Sequence, residues 1–154
     1  DKKRPLKKRG AEGAEAVGEI LKASKLVPEL ILCSPAKRTE QTAEIVAKKS
    51  GYKGDIKFQE PLYMAEPSTI MHALQDLSDK LDRVMVIGHN PGLEALLQIL
   101  DGKVDSMPTG SLAFLNLDIK SWKDLSFDSN GELIRFWDAE HEDRKEKRDK
   151  KDKH

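Results

Sequence analysis

A histidine stands where an apolar strand is predicted to end and a helix to begin. Residues 84–92 read VMVIGHNPG, and a helical pattern follows from Leu93. The apolar run is typical of a strand buried on both faces. In open α/β sheets, ligands bind at the carboxyl ends of the strands. His89 is therefore a candidate for chemistry, although a histidine that only bridges strand and helix would show the same pattern.

A second strand end repeats this arrangement. The apolar residues 30–33 are followed by Ser34 and Pro35, and then by a helical pattern to about Lys49. In both places a capping residue precedes a proline that is predicted to occupy the first helical position. If the two strands are parallel neighbours, both helix starts open onto one edge, where free N–H groups favour an anion.

Lys37 and Arg38 fall in the first turn of the helix that follows Ser34. The helix dipole disfavours a cation there by about 0.3–1 kcal/mol, and an anion held between the helix start and Arg38 would reverse that sign. A guanidinium suits a phosphate because it donates two parallel hydrogen bonds. The alternative, that both side chains simply point into water, stays open on these residues alone.

Arg38 and His89 on one edge suggest phosphoryl chemistry. Arg38 would neutralise charge on the phosphoryl group, and His89, as imidazolium, would donate to an oxygen in the transition state. Asn90 could add a donor, and Ser34 is expected to be a cap beside the pocket. Phosphate or sulfate would fit such a pocket, and no metal or cofactor is implied.

The sequence around these residues resembles the histidine phosphatase superfamily. Residues 34–43, SPAKRTEQTA, are similar to its S-P-x-x-R-x-x-Q-T-A segment, and residues 86–92 are similar to the segment around its second catalytic histidine. The G-H-N-P-G form, with MPTGS at residues 107–111, resembles the small phosphohistidine phosphatase branch. The resemblance spans roughly residues 4–137. It implies that Arg38 binds phosphate and that His89 stabilises the charge in transfer.

The family's nucleophile is a histidine in an R-H-G or R-H-A motif at the end of the first strand, and this chain has no Arg-His pair. The other histidines are His72, inside a predicted helix, and His141 and His154, in a charged tail. The resemblance therefore implies a nucleophile upstream of Asp1. Lys7 also departs from the family, which often has a capping threonine there.

No carboxylate matches the general acid of the larger family members. Glu66 lies in a plausible region, but Pro67 follows it, and a residue favoured by the helix dipole is the better interpretation. The leaving imidazole of phosphohistidine has a pKa of about 6.5 and departs with less protonation than a sugar alkoxide needs. The missing acid signal therefore favours phosphohistidine over phosphoesters.

Composition limits the partners. Lys plus Arg and Asp plus Glu both number 27, so the net charge is zero and gives no overall attraction to nucleic acid or membrane. Residues 2–9 hold six cations without interleaved aromatic residues, which argues against a nucleic-acid platform. A solvated helix start is the simplest interpretation, and a protein substrate with acidic patches ranks next.

Cys33, the single cysteine, lies in an apolar strand and is expected to be a buried small hydrophobe. The chain shows no signal peptide and no apolar run of membrane length, which favours the cytoplasm. Residues 138–154 are almost all charged, so a disordered tail is expected after a single domain at residues 1–137.

The predicted elements follow the order α, β, α, β, α, β, α, β, β, with the second strand short and placed at residues 56–59. Apolar strands alternating with helices indicate an α/β fold with a mainly parallel sheet, and the family resemblance implies a three-layer α/β/α sandwich. The expected function is hydrolysis of protein phosphohistidine, or of a small phosphorylated substrate, through a covalent phosphohistidine intermediate. A non-catalytic phosphate- or phosphoprotein-binding module and a phosphoesterase of a small metabolite are the alternatives.

Overall fold

The computed structural model describes residues 1–138, so the predicted charged tail lies outside the described residues apart from Asp138. Within this range the helices and strands follow the predicted order. They are α1 Lys8–Ala23, β1 Leu30–Cys33, α2 Lys37–Ser50, β2 Ile56–Phe58, α3 Pro67–Gln75, β3 Val84–Ile87, α4 Gly92–Leu100, β4 Leu112–Leu117 and β5 Gly131–Trp137. Two short 3-10 segments, Glu60–Leu62 and Trp122–Asp124, interrupt the loops.

The parallel sheet has three strands in the order β2-β1-β3. In the register between β1 and β3, Cys33 stands beside Ile87, so both strands end at the same level. The remaining strands, β4 and β5, form a separate antiparallel pair. The mixed α/β architecture with a parallel sheet is thus confirmed, with the last two strands outside that sheet.

Successive side chains of each strand point to opposite faces of the sheet and pack against helices on both faces. Leu32 and its neighbours on one face pack against α3 and α4. Ile31 and Cys33 on the opposite face pack against α2, and α1 covers α2 through a further apolar cluster that reaches Met85 of β3. Because strand side chains alternate between faces, this apolar sequence requires a helical layer on each side. The predicted three layers are confirmed.

The prediction that β3 is buried throughout was wrong. Ile31, Leu32 and Cys33 of β1 are fully buried, whereas Val84, Met85 and Val86 of β3 are only partly buried. The physical reason is pairing: within residues 1–138, β3 pairs on one side with β1 and on the other side borders a cavity of about 520 Å³. This cavity also reaches the start of β4.

Both helices at the sheet edge begin later than predicted. Ala36, not Ser34, is the N-cap of α2, and Pro91 is the N-cap of α4 rather than its first residue. The hydroxyl of Thr39 donates to the carbonyl oxygens of Ser34 and Ala36, 2.8 and 2.9 Å away, which stabilises an extended turn before α2. The shift leaves the prediction for Arg38 intact, because it still lies in the first turn of α2.

Gly18 permits the close packing of α1 on α2, and it offers a test of that packing. A Cβ atom at Gly18 would lie 2.5 Å from Cβ of Lys49 and 3.0 Å from the carbonyl oxygen of Val46, whereas one at Gly13 would meet nothing within 4 Å. We expect Gly18→Ala to lower the free energy of unfolding by about 1–3 kcal/mol. Gly13→Ala, the same change in the same helix, should raise it by about 0.5–1 kcal/mol. Urea denaturation of both variants checks this, and equal effects would contradict the packing.

Candidate active site

His89 lies directly beyond the carboxyl end of β3 and is held by the residue that follows β1. The backbone N–H of Ser34 donates to the carbonyl oxygen of Ile87 at 3.0 Å, which extends the pairing of the two strands by one step. Nε2 of His89 then lies 2.7 Å from Oγ of Ser34. Ser34 is fully buried and His89 is 8% exposed, so the imidazole is fixed from behind.

Arg38 reaches the other face of this histidine. Its Nη2 lies 3.1 Å from Nδ1 of His89, and its Nη1 donates to the carbonyl oxygen of Asp1 at 2.8 Å. A guanidinium can only donate, so Nδ1 is the acceptor and Nε2 carries the ring proton that is donated to Ser34. The structure thus brings together Arg38, His89 and Ser34, as the two strand ends predicted.

The pKa of His89 is lowered to about 4, first by burial and then by the positive charge of Arg38. The imidazole is therefore neutral at neutral pH, and its role as an imidazolium in the transition state stays a prediction. Opposite charge favours the protonated form of a histidine. A phosphoryl dianion placed against Arg38 would therefore raise the pKa of His89 and let it take up a proton.

Asn90 anchors a loop beside the pocket. Nδ2 of Asn90 donates to the carbonyl oxygen of Met107 at 2.6 Å. The backbone N–H of Met107 donates to Oε2 of Glu94 at 2.8 Å. These two contacts hold the loop of residues 101–111 against the start of α4. That Asn90 or Ser34 itself contacts substrate stays a prediction; the contacts described place Ser34 behind His89 and Asn90 at the loop.

Tyr63 and Met64 complete the wall of the site, and the sequence offered no signal for either. The ring of Tyr63 stands edge-on to His89, with ring centroids 5.4 Å apart. Sδ of Met64 lies 3.9 Å from Nη2 of Arg38. A side chain at Gly92 would overlap the carbonyl oxygen of Ala65, so that glycine allows the wall to approach α4. Only an alignment of relatives could have marked these residues.

The cavity in front of Arg38 and His89 is lined by no aspartate or glutamate of the described chain. Glu66 is exposed at the N-cap of α3 and does not line it. Lys7 is the N-cap of α1 and makes no side-chain capping bond, as its departure from threonine predicted. Cys33 is fully buried, and burial raises the pKa of its thiol to about 12, which leaves it protonated and unreactive.

The fold and site define an α/β protein with a basic pocket at the edge of its parallel sheet, and known proteins share parts of its sequence. The model of the histidine phosphatase superfamily (branch 1) matches residues 2–62. An uncharacterized protein of Mycobacterium leprae is 28% identical over 146 residues, which is 88% of this chain and 87% of that protein. One of Mycobacterium tuberculosis is 32% identical over 100 residues, and the match spans 65% of this chain but only 61% of that relative.

Solved structures share the fold over nearly the whole described chain. SixA from Agrobacterium tumefaciens is 26% identical, with a TM-score of 0.74. The match covers 88% of this chain and 84% of the SixA chain. The protein histidine phosphatase SixA complexed with tungstate is also 26% identical, with a TM-score of 0.76 over 90% of this chain and 86% of its own. These matches support the resemblance to the histidine phosphatase superfamily that the two motif segments predicted. In the described residues no helix is long and apolar enough to span a membrane.

The lowered pKa of His89 predicts a loss of stability in acid. Its folded pKa of about 4 lies below the unfolded value of about 6.5, so the unfolded chain takes up the proton first. The contribution of the neutral His89 to the free energy of unfolding is complete above pH 6.5 and is lost as the pH falls toward 4. We expect the free energy of unfolding of His89→Gln to fall less steeply than that of the wild type between pH 7 and pH 4.

Urea denaturation at several pH values measures these slopes. His72→Gln is the matched control, because His72 is exposed on α3, and it should keep the wild-type slope. Parallel curves for the wild type and His89→Gln would contradict the assignment of a buried, neutral imidazole.

Proposed function

We propose that this protein is a phosphatase that hydrolyses the phosphoramidate bond of phosphohistidine in proteins. The observation that carries the proposal is the contact of Arg38 with His89, 3.1 Å apart, at a cavity without a carboxylate. A guanidinium and an imidazole that converge on one point can bind and stabilise a transferring phosphoryl group. The complex of a related SixA with tungstate supports an oxyanion at such a site.

The absence of a carboxylate from the lining of the cavity, as far as residues 1–138 form it, bears on the leaving group. An alkyl phosphate needs a general acid because an alkoxide is a poor leaving group. Imidazole leaves readily, since its pKa is about 6.5. The site as built therefore suits a phosphorylated imidazole better than a phosphorylated sugar or serine.

The nucleophile is assigned in this proposal to a histidine on an extended segment upstream of Asp1. The cavity runs along the whole of β3 and along the start of β4, as an added strand would require. Oγ of Ser111, which is buried and has no hydrogen-bond partner in the described chain, lines the same cavity. A segment parallel to β3 would end beside His89, and the carbonyl of Asp1 already contacts Arg38.

The reaction then proceeds in two displacements. The neutral upstream histidine attacks phosphorus, a new N–P bond forms, and the N–P bond to the substrate ring breaks. The substrate ring carries a proton on its other nitrogen, so it leaves as neutral imidazole, while the attacking ring keeps its own N–H and becomes the protonated phosphohistidine. Water then attacks phosphorus, the N–P bond breaks, the oxygen and both protons of the water leave on phosphate, and the neutral histidine is restored. In both steps Arg38 binds nonbridging oxygens, and His89, protonated once the dianion is bound, donates to another.

A non-catalytic phosphate- or phosphoprotein-binding module is the second candidate. It is favoured by one observation: in the part of the chain that the structure describes, Arg38 and His89 can bind phosphate, but no other histidine or reactive thiol reaches them. His72, the remaining histidine of that part, lies exposed in α3.

Turnover of two matched peptides, one phosphorylated on histidine and the other on serine, tests the proposal. The full gene product should hydrolyse a phosphohistidine peptide, and Arg38→Ala should lower kcat/KM by about 100-fold or more, because it removes the charge that faces the phosphoryl group. Arg83→Ala is the control, since Arg83 lines the far end of the same cavity, and it should retain wild-type turnover. Binding without turnover would indicate the binding module, and faster hydrolysis of the phosphoserine peptide would indicate a phosphoesterase.

A further inference from the structure

Four exposed cations lie on residues 3–7 and at the start of α2, the two stretches of chain next to Arg38. Lys3, Arg4, Lys7 and Lys37, here called the cationic rim, all have exposed side chains. Arg4 also lines the cavity that contains Arg38. Among residues 1–138, no hydrogen bond or ion pair engages the side-chain nitrogens of the rim.

Backbone contacts hold the rim at this place. The N–H of Lys37 donates to the carbonyl oxygen of Lys2 at 2.8 Å, and the N–H of Leu6 donates to Oε1 of Gln41 at 2.7 Å. Residues 1–6 therefore run along the first turns of α2 and enter α1 from there. The rim is thus a fixed feature of the fold and not a set of chain-end charges.

The rim charges do not favour the fold. Lys7 and Lys37 stand at the N-terminal ends of α1 and α2, where the helix dipole disfavours cations, and α1 has no acidic residue in its first turn. Nearby acids offset these charges only in part: Glu60 is paired with Lys2 at 2.6 Å, which leaves Asp1, whose Oδ1 accepts the N–H of Lys3 at 3.0 Å, and Glu40 in the first turn of α2. Cations at such positions are stabilised by an anionic partner.

The partner is larger than a phosphoryl group. Arg38 and His89 line the cavity, whereas three of the four rim residues lie outside it on the exposed surface and Arg4 alone is both exposed and part of the lining. Single-stranded nucleic acid would need exposed aromatic rings among the cations. Residues 1–11 contain none, and the nearby Tyr63 packs against His89.

We propose that the cationic rim docks an acidic protein surface that surrounds the phosphorylated histidine of the substrate. The proposal rests on the proposed function and adds the chemistry of the partner. Charge complementarity of this kind raises the association rate and selects the partner, and salt weakens it.

Binding of two labelled peptides to the full gene product tests the rim. Both carry a stable phosphonate analogue of phosphohistidine, flanked by glutamates in one peptide and by glutamines in the other. By fluorescence anisotropy at low salt, we expect the acidic peptide to bind about tenfold more tightly, with the difference lost at high salt. Lys3→Glu with Lys7→Glu should abolish the preference.

Lys22→Glu with Lys48→Glu is the control, because it makes the same charge change at the opposite, C-terminal ends of α1 and α2. This control should keep the preference for the acidic peptide. Equal binding of the two peptides, equal loss in both double variants, or tighter binding of a DNA oligonucleotide of the same charge would overturn the proposal. Tungstate binding separates the two claims: a wild type that fails to bind tungstate contradicts the phosphoryl pocket, whereas the peptide preference tests the rim alone.

Discussion

The site depends on one contact, that of the Arg38 guanidinium with the His89 imidazole. Two basic groups 3.1 Å apart, with no carboxylate in the cavity that they face, can coexist because the histidine is neutral. Burial and the arginine charge both lower the pKa of His89, so the pair carries one positive charge and one protonatable nitrogen. An arriving phosphoryl dianion changes that balance, because it offsets the charge of Arg38 and favours protonation of the ring. In the proposed reaction, the same geometry would bind the anion and would supply the proton that the chemistry needs.

The parallel pairing of β1 and β3 makes this contact possible. Because Cys33 and Ile87 stand in register, the residues that follow both strands emerge side by side. Ser34 then fixes one ring nitrogen of His89, and the first turn of α2 directs Arg38 at the other. The wall at Tyr63 and the loop held by Asn90 close the site from two further directions. A shift of one residue in the register would separate Arg38 from His89.

The sequence allowed this core of the site to be predicted, because its signals are local. Apolar runs that end in a capping residue and proline mark strand ends, and parallel neighbours share an edge, so Arg38 and His89 could be placed together. The wall residue Tyr63 comes from a loop whose position depends on packing against α4, and no local pattern encodes that. The partial burial of β3 was missed for a related reason: an apolar strand has the same pattern whether or not both of its edges are paired. The starts of α2 and α4 were misplaced because hydroxyl and backbone contacts, not proline alone, decide where a helix begins.

In the proposed reaction Arg38 and His89 bind the phosphoryl group and a histidine upstream of Asp1 attacks it, and a phosphoenzyme assay separates these roles. The protein would be expressed with the residues that its gene encodes before Asp1, mixed with a radiolabelled phosphoramidate, and quenched within milliseconds. We expect an acid-labile, alkali-stable label on a histidine of that upstream segment, with the labelling greatly reduced in Arg38→Ala. A label on His89, or no label during active turnover, would contradict it.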